Sequence, residues 1–200
     1  MSKEGLFIVF EGIDGSGKTT ICKMLENTLK SRGINVFFTS EPTSGEYGKI
    51  IREKLRSGME PLEAVLLFAL DRYYHVKTIG ELLETGHVVL CDRYYYSSLA
   101  YQGALLGEDM IKYIEEVHRP FIIEPDVVFL LDVRPEVGLS RVRSVRESGI
   151  EIYEEVRLQE SIRKIYLRMA EEKGFIVINA EKPIKEVFSE VLSYVDVILK

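Results

Sequence analysis

Residues 10–20 read FEGIDGSGKTT and place Gly12, Gly15 and Gly17 ahead of Lys18, Thr19 and Thr20. The spacing Gly12-x-x-x-x-Gly17-Lys18-Thr19 suits the wrapping of backbone around a phosphate chain. Its glycines let the N–H groups of Gly12, Ile13, Asp14, Gly15, Ser16 and Gly17 turn inward together. Lys18 is placed to reach the terminal phosphates, and the Thr19 hydroxyl to take one position on Mg²⁺. A helix opening at Lys18 would add the positive end of its dipole. The pattern predicts a bound nucleoside triphosphate but no particular reaction, since motors, GTPases, regulators and kinases all use such a loop. No Asn-Lys-x-Asp for guanine recognition occurs, and 200 residues are too few for a large ATPase machine.

Three more stretches carry chemistry. In CDRYYYSSLAYQG (91–103), Asp92 suits Mg²⁺ or its water and Arg93 offers a planar fork to phosphate oxygens. The alternative for that pair is a structural ion pair or a strand-end cap. Tyr94, Tyr95 and Tyr96 read as core with their hydroxyls at its edge, while Ser97, Ser98, Tyr101 and Gln102 begin a helix facing the cleft. In PLEAVLLFALDRYYHVKTIGELL, a buried stripe of Leu62, Val65, Leu66, Ala69, Tyr73, Val76 and Leu83 is expected, with Phe68 and Arg72 as neighbours on its flank. An exposed aromatic face beside a guanidinium suits a flat base with a carbonyl edge, but on periodicity alone a cation–π pair or surface arginine is the simpler reading. Finally, SRVRSVRESG brings Arg141, Arg143 and Arg146 together before Gly149, as either a solvated helix face or a hinged cover for phosphates.

These residues need a scaffold that gathers them, and the hydrophobic pattern supplies one. Continuous apolar runs at 6–10, 35–39, 87–91, 127–133 and 175–179 read as strands covered on both faces. Helices are expected at about 18–32, 46–57, 61–85, 108–118, 135–147, 153–173 and 183–198. Gly33, Gly86 and Gly174 stand where a left-handed residue closes a helix. The alternation predicts an α/β fold, one domain over 1–200, with a five-stranded parallel sheet between two helical layers. Ligands then lie beyond the carboxyl ends of the strands, a rim that collects 11–19, 40–45, 92–102, 133–136 and 179–183.

Composition narrows the partners. A net charge of −6 provides no global field for nucleic acid or anionic membrane, so an anionic small molecule must be caught locally. Cys22 and Cys91 form no close pair and read as reduced thiols. The N-terminal apolar run is too short for a signal peptide, and no run approaches a bilayer span. A cytoplasmic location is expected.

FEGIDGSGKTT, the Glu-Pro after the second strand, LLFALDR, DRYYYSSLAYQG and IYEEVR occur in the order seen in thymidylate kinases, and the chain resembles that family from Phe7 to about Asn179. The resemblance implies the three-layer P-loop NTPase fold with a short lid at about 141–153, ATP as phosphoryl donor, Mg²⁺, dTMP as acceptor and a homodimer. It implies that Phe68 stacks on thymine, Arg72 donates to the 4-carbonyl, Ser98 makes a small polar contact to the base, and Tyr101 lies against the sugar, with Gln102 also counted as substrate-binding. Arg93 would hold the acceptor phosphate, Asp14 would engage the 3′-hydroxyl, and Tyr153 and Glu154 would close near the sugar. Some relatives carry an arginine inside the phosphate loop, where this chain has Gly15, so Arg143 or Arg146 is expected to replace it from the lid. Many also read Arg-Glu-Pro where this chain has Ser40-Glu41-Pro42, leaving Lys49 or Arg52 as a substitute, and carry an arginine at the place of Ile152. The nearest rival is a deoxynucleoside kinase with Glu41 as general base. A non-catalytic nucleotide sensor is more distant, because Lys18, Asp92 and the lid arginines are all present.

Overall fold

The structure, a computed structural model, describes residues 5–145 and 156–199. In chain order the elements are β1 (Leu6–Glu11), α1 (Lys18–Ser31), β2 (Val36–Ser40), α2 (Glu46–Ser57), α3 (Pro61–Glu84), β3 (Val88–Asp92), α4 (Tyr95–Leu106), α5 (Met110–His118), β4 (Val127–Asp132), α6 (Pro135–Val145), α7 (Val156–Lys173), β5 (Ile176–Asn179) and α8 (Ile184–Ile198). The strands lie where the apolar runs predict them. All pair in parallel, in the order β2-β3-β1-β4-β5. The two helical layers are also present, with α1 packed on α8 and α4 flanked by α3, α5 and α7.

Burial explains the continuous strand patterns. Every residue of β3 and all but the first of β1 are buried, so both strands are apolar on either face up to their last residues, Asp92 and Glu11. Phe10 stacks on Phe129 across β1 and β4, and Phe7 meets Tyr94 edge-on at 5.2 Å. Tyr94, Tyr95 and Tyr96 are buried as expected, and removing side chains of this size from water contributes about 2–3 kcal/mol each. Register does the rest: Phe10 pairs with Asp92, which sets the turn after β1 beside the turn after β3. That adjacency lies at the switch point, where the chain crosses over in opposite directions from β1 to β2 and from β3 to β4.

Helix α3 corrects the expected stripe. Val65, Ala69, Val76 and Leu83 are buried, but Leu62 (47% exposed), Leu66 (55%) and Tyr73 (41%) face outward with Leu70 and Tyr74. The helix is apolar on more than one side, and its inward positions are partly taken by Asp71, Arg72 and His75, all buried. Polar side chains displaced leucines from the inside because partners await them there.

Candidate active site

The loop after β1 has the backbone its glycines foretell, with φ of 141° at Gly12, 76° at Gly15 and 94° at Gly17. A Cβ at Gly15 would stand 2.0 Å from the Gly138 carbonyl oxygen, so the loop also packs too closely on α6 for a side chain. Lys18 folds back under the loop and donates from Nζ to Gly12 O (2.9 Å), Ile13 O (2.9 Å) and Ser16 Oγ (3.1 Å). Burial, with the nearby Arg93 charge, lowers its pKa to about 8 against the pull of Asp92, Asp14 and Glu11. At neutral pH it is therefore still a cation, held in the middle of the cradle.

Thr19 Oγ1, at the start of α1, touches Asp92 Oδ2 at the end of β3. No cluster of three or more His, Cys, Asp or Glu capable of holding a metal occurs among the described residues. One hydroxyl and one carboxylate oxygen instead match Mg²⁺, which keeps several waters and takes its remaining ligands from phosphate. The donor set fits that ion.

Arg93 follows in the left-handed region (φ 70°), an unusual conformation for a side chain this large. Its N–H donates to Phe10 O at 2.9 Å, and its guanidinium turns back over the loop. There it reaches Asp14 Oδ1, Gly12 O (3.2 Å), Ser97 Oγ (3.3 Å) and the Tyr101 hydroxyl (3.1 Å), lying over the Tyr101 ring. Glu11, fully buried, fixes this turn. Its Oε1 accepts the N–H groups of Tyr94 and Ser97, and its Oε2 accepts the hydroxyls of Ser97 and Tyr166. Helix α4 has no side-chain cap of its own, so a carboxylate from β1 satisfies its first donors. Burial raises the Glu11 pKa, against the pull of Ser97, Arg93 and Tyr166.

A cleft of about 540 Å³ opens beyond this turn, lined by Asp14, Glu41, Phe68, Arg72, Arg93, Ser98, Tyr101 and Gln102 among others. The expected Phe68 and Arg72 neighbours do line one wall, but Arg72 is not an exposed guanidinium. It is 0% exposed, because Glu41 Oε2 accepts from its Nε (2.7 Å) and its Nη2. Nη1 donates to Ser98 Oγ at 3.2 Å and faces His118. The other Glu41 oxygen, Oε1, pairs with His75 Nδ1 at 2.9 Å. Burial works to raise the Glu41 pKa, yet the Arg72 charge and His75 outweigh it and hold the carboxyl below its usual range. Both oxygens are engaged, so Glu41 is a counter-ion here and not a free general base. Gln102 Oε1 is buried in the cleft wall with no partner among the described residues.

Arg52, one of the two expected substitutes for the missing arginine, donates to Pro42 O (2.8 Å) and Thr43 O (2.6 Å) and holds the loop after β2. Asp71 secures the same loop by accepting from Thr43 N (2.8 Å) and Oγ1 (2.6 Å). In the lid segment, Arg141 reaches Gly15 O (3.3 Å) and Ala180 O (3.0 Å). Arg143 falls on α6 with its side chain outside the described residues, and Arg146, Tyr153 and Glu154 lie outside them altogether. Glu11, His75 and His118 are the site's unforeseen members.

Two further clefts continue from the first. One of about 640 Å³ lies over Asp14, Gly15, Gly17, Lys18, Thr19, Thr20, Asp92 and Arg93. Another of about 1,030 Å³ runs past Gly15, Ser16, Gly17 and Thr20 to Arg141, Ala180 and Lys182. Asp14 and Arg93 line both the first and second, while Gly15, Gly17 and Thr20 line both the second and third. A parallel sheet with a phosphate loop opening onto adjoining clefts is the frame of a P-loop phosphotransferase, which needs room for a donor and an acceptor. Comparison with known proteins narrows the class. The model of the thymidylate kinase family matches residues 10–191. The chain is 39% identical over 194 residues to a probable thymidylate kinase of Sulfurisphaera tokodaii, covering 97% of each chain. It is 42% identical to that of Methanocaldococcus jannaschii (96% of each) and 39% identical to the thymidylate kinase of Brachyspira hyodysenteriae (95% and 93%). The chain belongs to the thymidylate kinase family.

Proposed function

We infer that the chain transfers the terminal phosphoryl group of ATP to dTMP, giving dTDP and ADP on the route to dTTP. The observation that carries this is the continuity of the three clefts, the first joined to the second through Asp14 and Arg93 and the second to the third through Gly15, Gly17 and Thr20, which supports a second anionic ligand beside the phosphate loop. The acceptor's phosphate is already an anionic nucleophile, so positioning and charge neutralisation suffice and no general base is required. Lys18 supplies charge to the donor phosphates, and the loop from Gly12 to Thr20 supplies inward N–H groups. Arg93, poised by Glu11, bridges donor and acceptor phosphates, while Asp14 anchors Arg93 and meets the acceptor's sugar. Thr19 and Asp92 would hold Mg²⁺, which neutralises charge on the transferring group. Tyr101 walls the sugar side.

Base choice follows from complementary polarity. Arg72 can only donate, and the unpartnered Gln102 Oε1 can accept. A donor beside an acceptor complements the carbonyl and N–H edge of thymine and opposes the amino edge of cytosine, with Phe68 stacking on the ring. Arg134 and Arg163 are paired with Glu181 and Asp132, and the family resemblance points to Arg143 or Arg146 to complete the charge over the phosphates. The outward face of α3, with Leu62, Leu66, Leu70, Tyr73 and Tyr74, supports a homodimer. The buried, unpaired Cys22 and Cys91 suit the cytoplasm, and no helix among the described residues is long and apolar enough to cross a membrane.

The test is ADP release with Mg-ATP against dTMP, dUMP, UMP, dCMP, AMP, GMP and thymidine. Turnover with dTMP, less with dUMP and none with thymidine is the expected result. Turnover with thymidine alone would overturn it.

A further inference from the structure

Arg72 is held by more groups than ligand binding requires, and one of them takes no part in the reaction as read above. A guanidinium carries five N–H donors. The Nε–H and one Nη2–H are taken by Glu41 Oε2. The two on Nη1 have Ser98 Oγ at 3.2 Å and His118, whose ring nitrogens each lie 3.1 Å away. One N–H, on Nη2, has no partner among the described residues, and Arg72 lines the acceptor cleft. Glu41 cannot turn to release the others, because Oε1 is held by His75, whose Nε2 is in turn 2.8 Å from the Thr39 hydroxyl.

His118 ends α5 and is fully buried, ringed by Tyr95 and Phe121. It is absent from the cleft wall, so it reaches the ligand only through Arg72. Nη1 is equidistant from both ring nitrogens, which sets it over the face of the imidazole, so its N–H is accepted by the ring's π face and the ring must be neutral to accept it. Burial, together with the Arg72 charge, pushes the His118 pKa down to about 2, and the ring stays a neutral acceptor.

We propose that His118 is a positioning residue for base recognition. With Ser98 it occupies both Nη1 donors, so that Arg72 presents a single N–H to the cleft, matched to one ring carbonyl and mismatched to an amino group. The proposal rests on the reading that Arg72 faces the acceptor's base.

The experiment pairs dTMP with 5-methyl-dCMP, which replaces the 4-carbonyl by an amino group, in the native chain and in His118→Leu and His118→Asn. Leucine keeps the bulk and removes the acceptor, whereas asparagine keeps an acceptor oxygen. Leaving a buried donor unmatched should raise the KM for dTMP about tenfold in His118→Leu, and lower the preference over 5-methyl-dCMP by a similar factor. The kcat should stay within about twofold and the KM for ATP unchanged, and His118→Asn should recover most of the loss. Thermal unfolding reports whether each variant is folded, and His118→Met takes the place of leucine if it is not. An unchanged preference in His118→Leu, or equal loss in leucine and asparagine variants, overturns the positioning role alone. Equal use of both nucleotides by the native chain overturns the base reading, and the proposal with it.

Discussion

Replacing Glu41 by glutamine removes one negative charge from beneath Arg72 with almost no change of shape. Glu41 is 4% exposed and Arg72 0%, so little water can reach the charge left behind. Removing one member of a buried ion pair costs about 3–5 kcal/mol, because the survivor stays desolvated and uncompensated. Glutamine can still accept one N–H from Arg72, which places the expectation at the lower end, about 3 kcal/mol. For a chain of this size that is a fall in Tm of roughly 6–12 °C, read by thermal or urea denaturation. The pH dependence carries its own sign. The folded-state pKa of Glu41 is depressed, so its contribution is fully present above the unfolded value, about 4.3, and is lost as pH falls through the folded value. The native and Glu41→Gln stability curves should therefore stand apart at neutral pH and converge in acid. In steady-state assays the variant should raise the KM for dTMP, with a much smaller effect on kcat. A stability loss below about 1 kcal/mol would refute the counter-ion argument. A kcat collapse of about a thousandfold at unchanged stability would make Glu41 a general base after all.

Other consequences are as direct. The Lys18 pKa of about 8 in the ligand-free site means that kcat/KM for ATP should decline as pH rises above that value, and Lys18→Met should abolish the decline along with most activity. Gly15→Ala must place a Cβ 2.0 Å from Gly138 O at φ 76°, and should cost at least about 2 kcal/mol in denaturation and weaken ATP binding. Asp92→Asn should raise the half-saturating Mg²⁺ concentration at least roughly tenfold in a metal titration, with dTMP affinity retained. Leu66→Glu, on the outward face of α3, should leave the fold intact and shift the sedimentation of a dimer to that of a monomer.

How much of this is legible without coordinates differs between backbone and side chains. The inner strands could be read within a residue or so because apolar runs covered on both faces leave few polar positions to confuse the pattern, whereas the edge strands β2 and β5 keep Phe37 and Val177 exposed and are not covered on both faces as expected. The phosphate loop is equally legible: the chemistry there is done by backbone N–H groups, and only glycines at fixed offsets allow it. The α3 stripe misleads for the opposite reason. Counting apolar residues at helical spacing assumes that the inside is apolar, and here Arg72 and His75 take inward places while Leu62 and Leu66 look out.

What made that exchange tolerable lies far away in the chain. Arg72 is buried because Glu41 arrives from the end of β2, Ser98 from α4 and His118 from the end of α5. Ser98 could be read as facing the cleft and Glu41 as a base, but no local period links separations of 26, 31 and 46 positions to tie them and His118 to Arg72. Buried ionic clusters of this kind are seldom the most stable filling for a core, since well-packed apolar side chains often do as well or better. Stability is thus a weak reason for a chain to bury an arginine, a glutamate and two histidines beside one cleft. Recognition is a stronger one, because an arginine free in water offers donors in every direction, whereas one held on three sides offers a single donor in a fixed place. By that argument, discrimination at the base and the cost in stability have the same source. Loosening the cluster at any member should trade one against the other, and the Glu41 and His118 variants measure the two sides of that exchange separately.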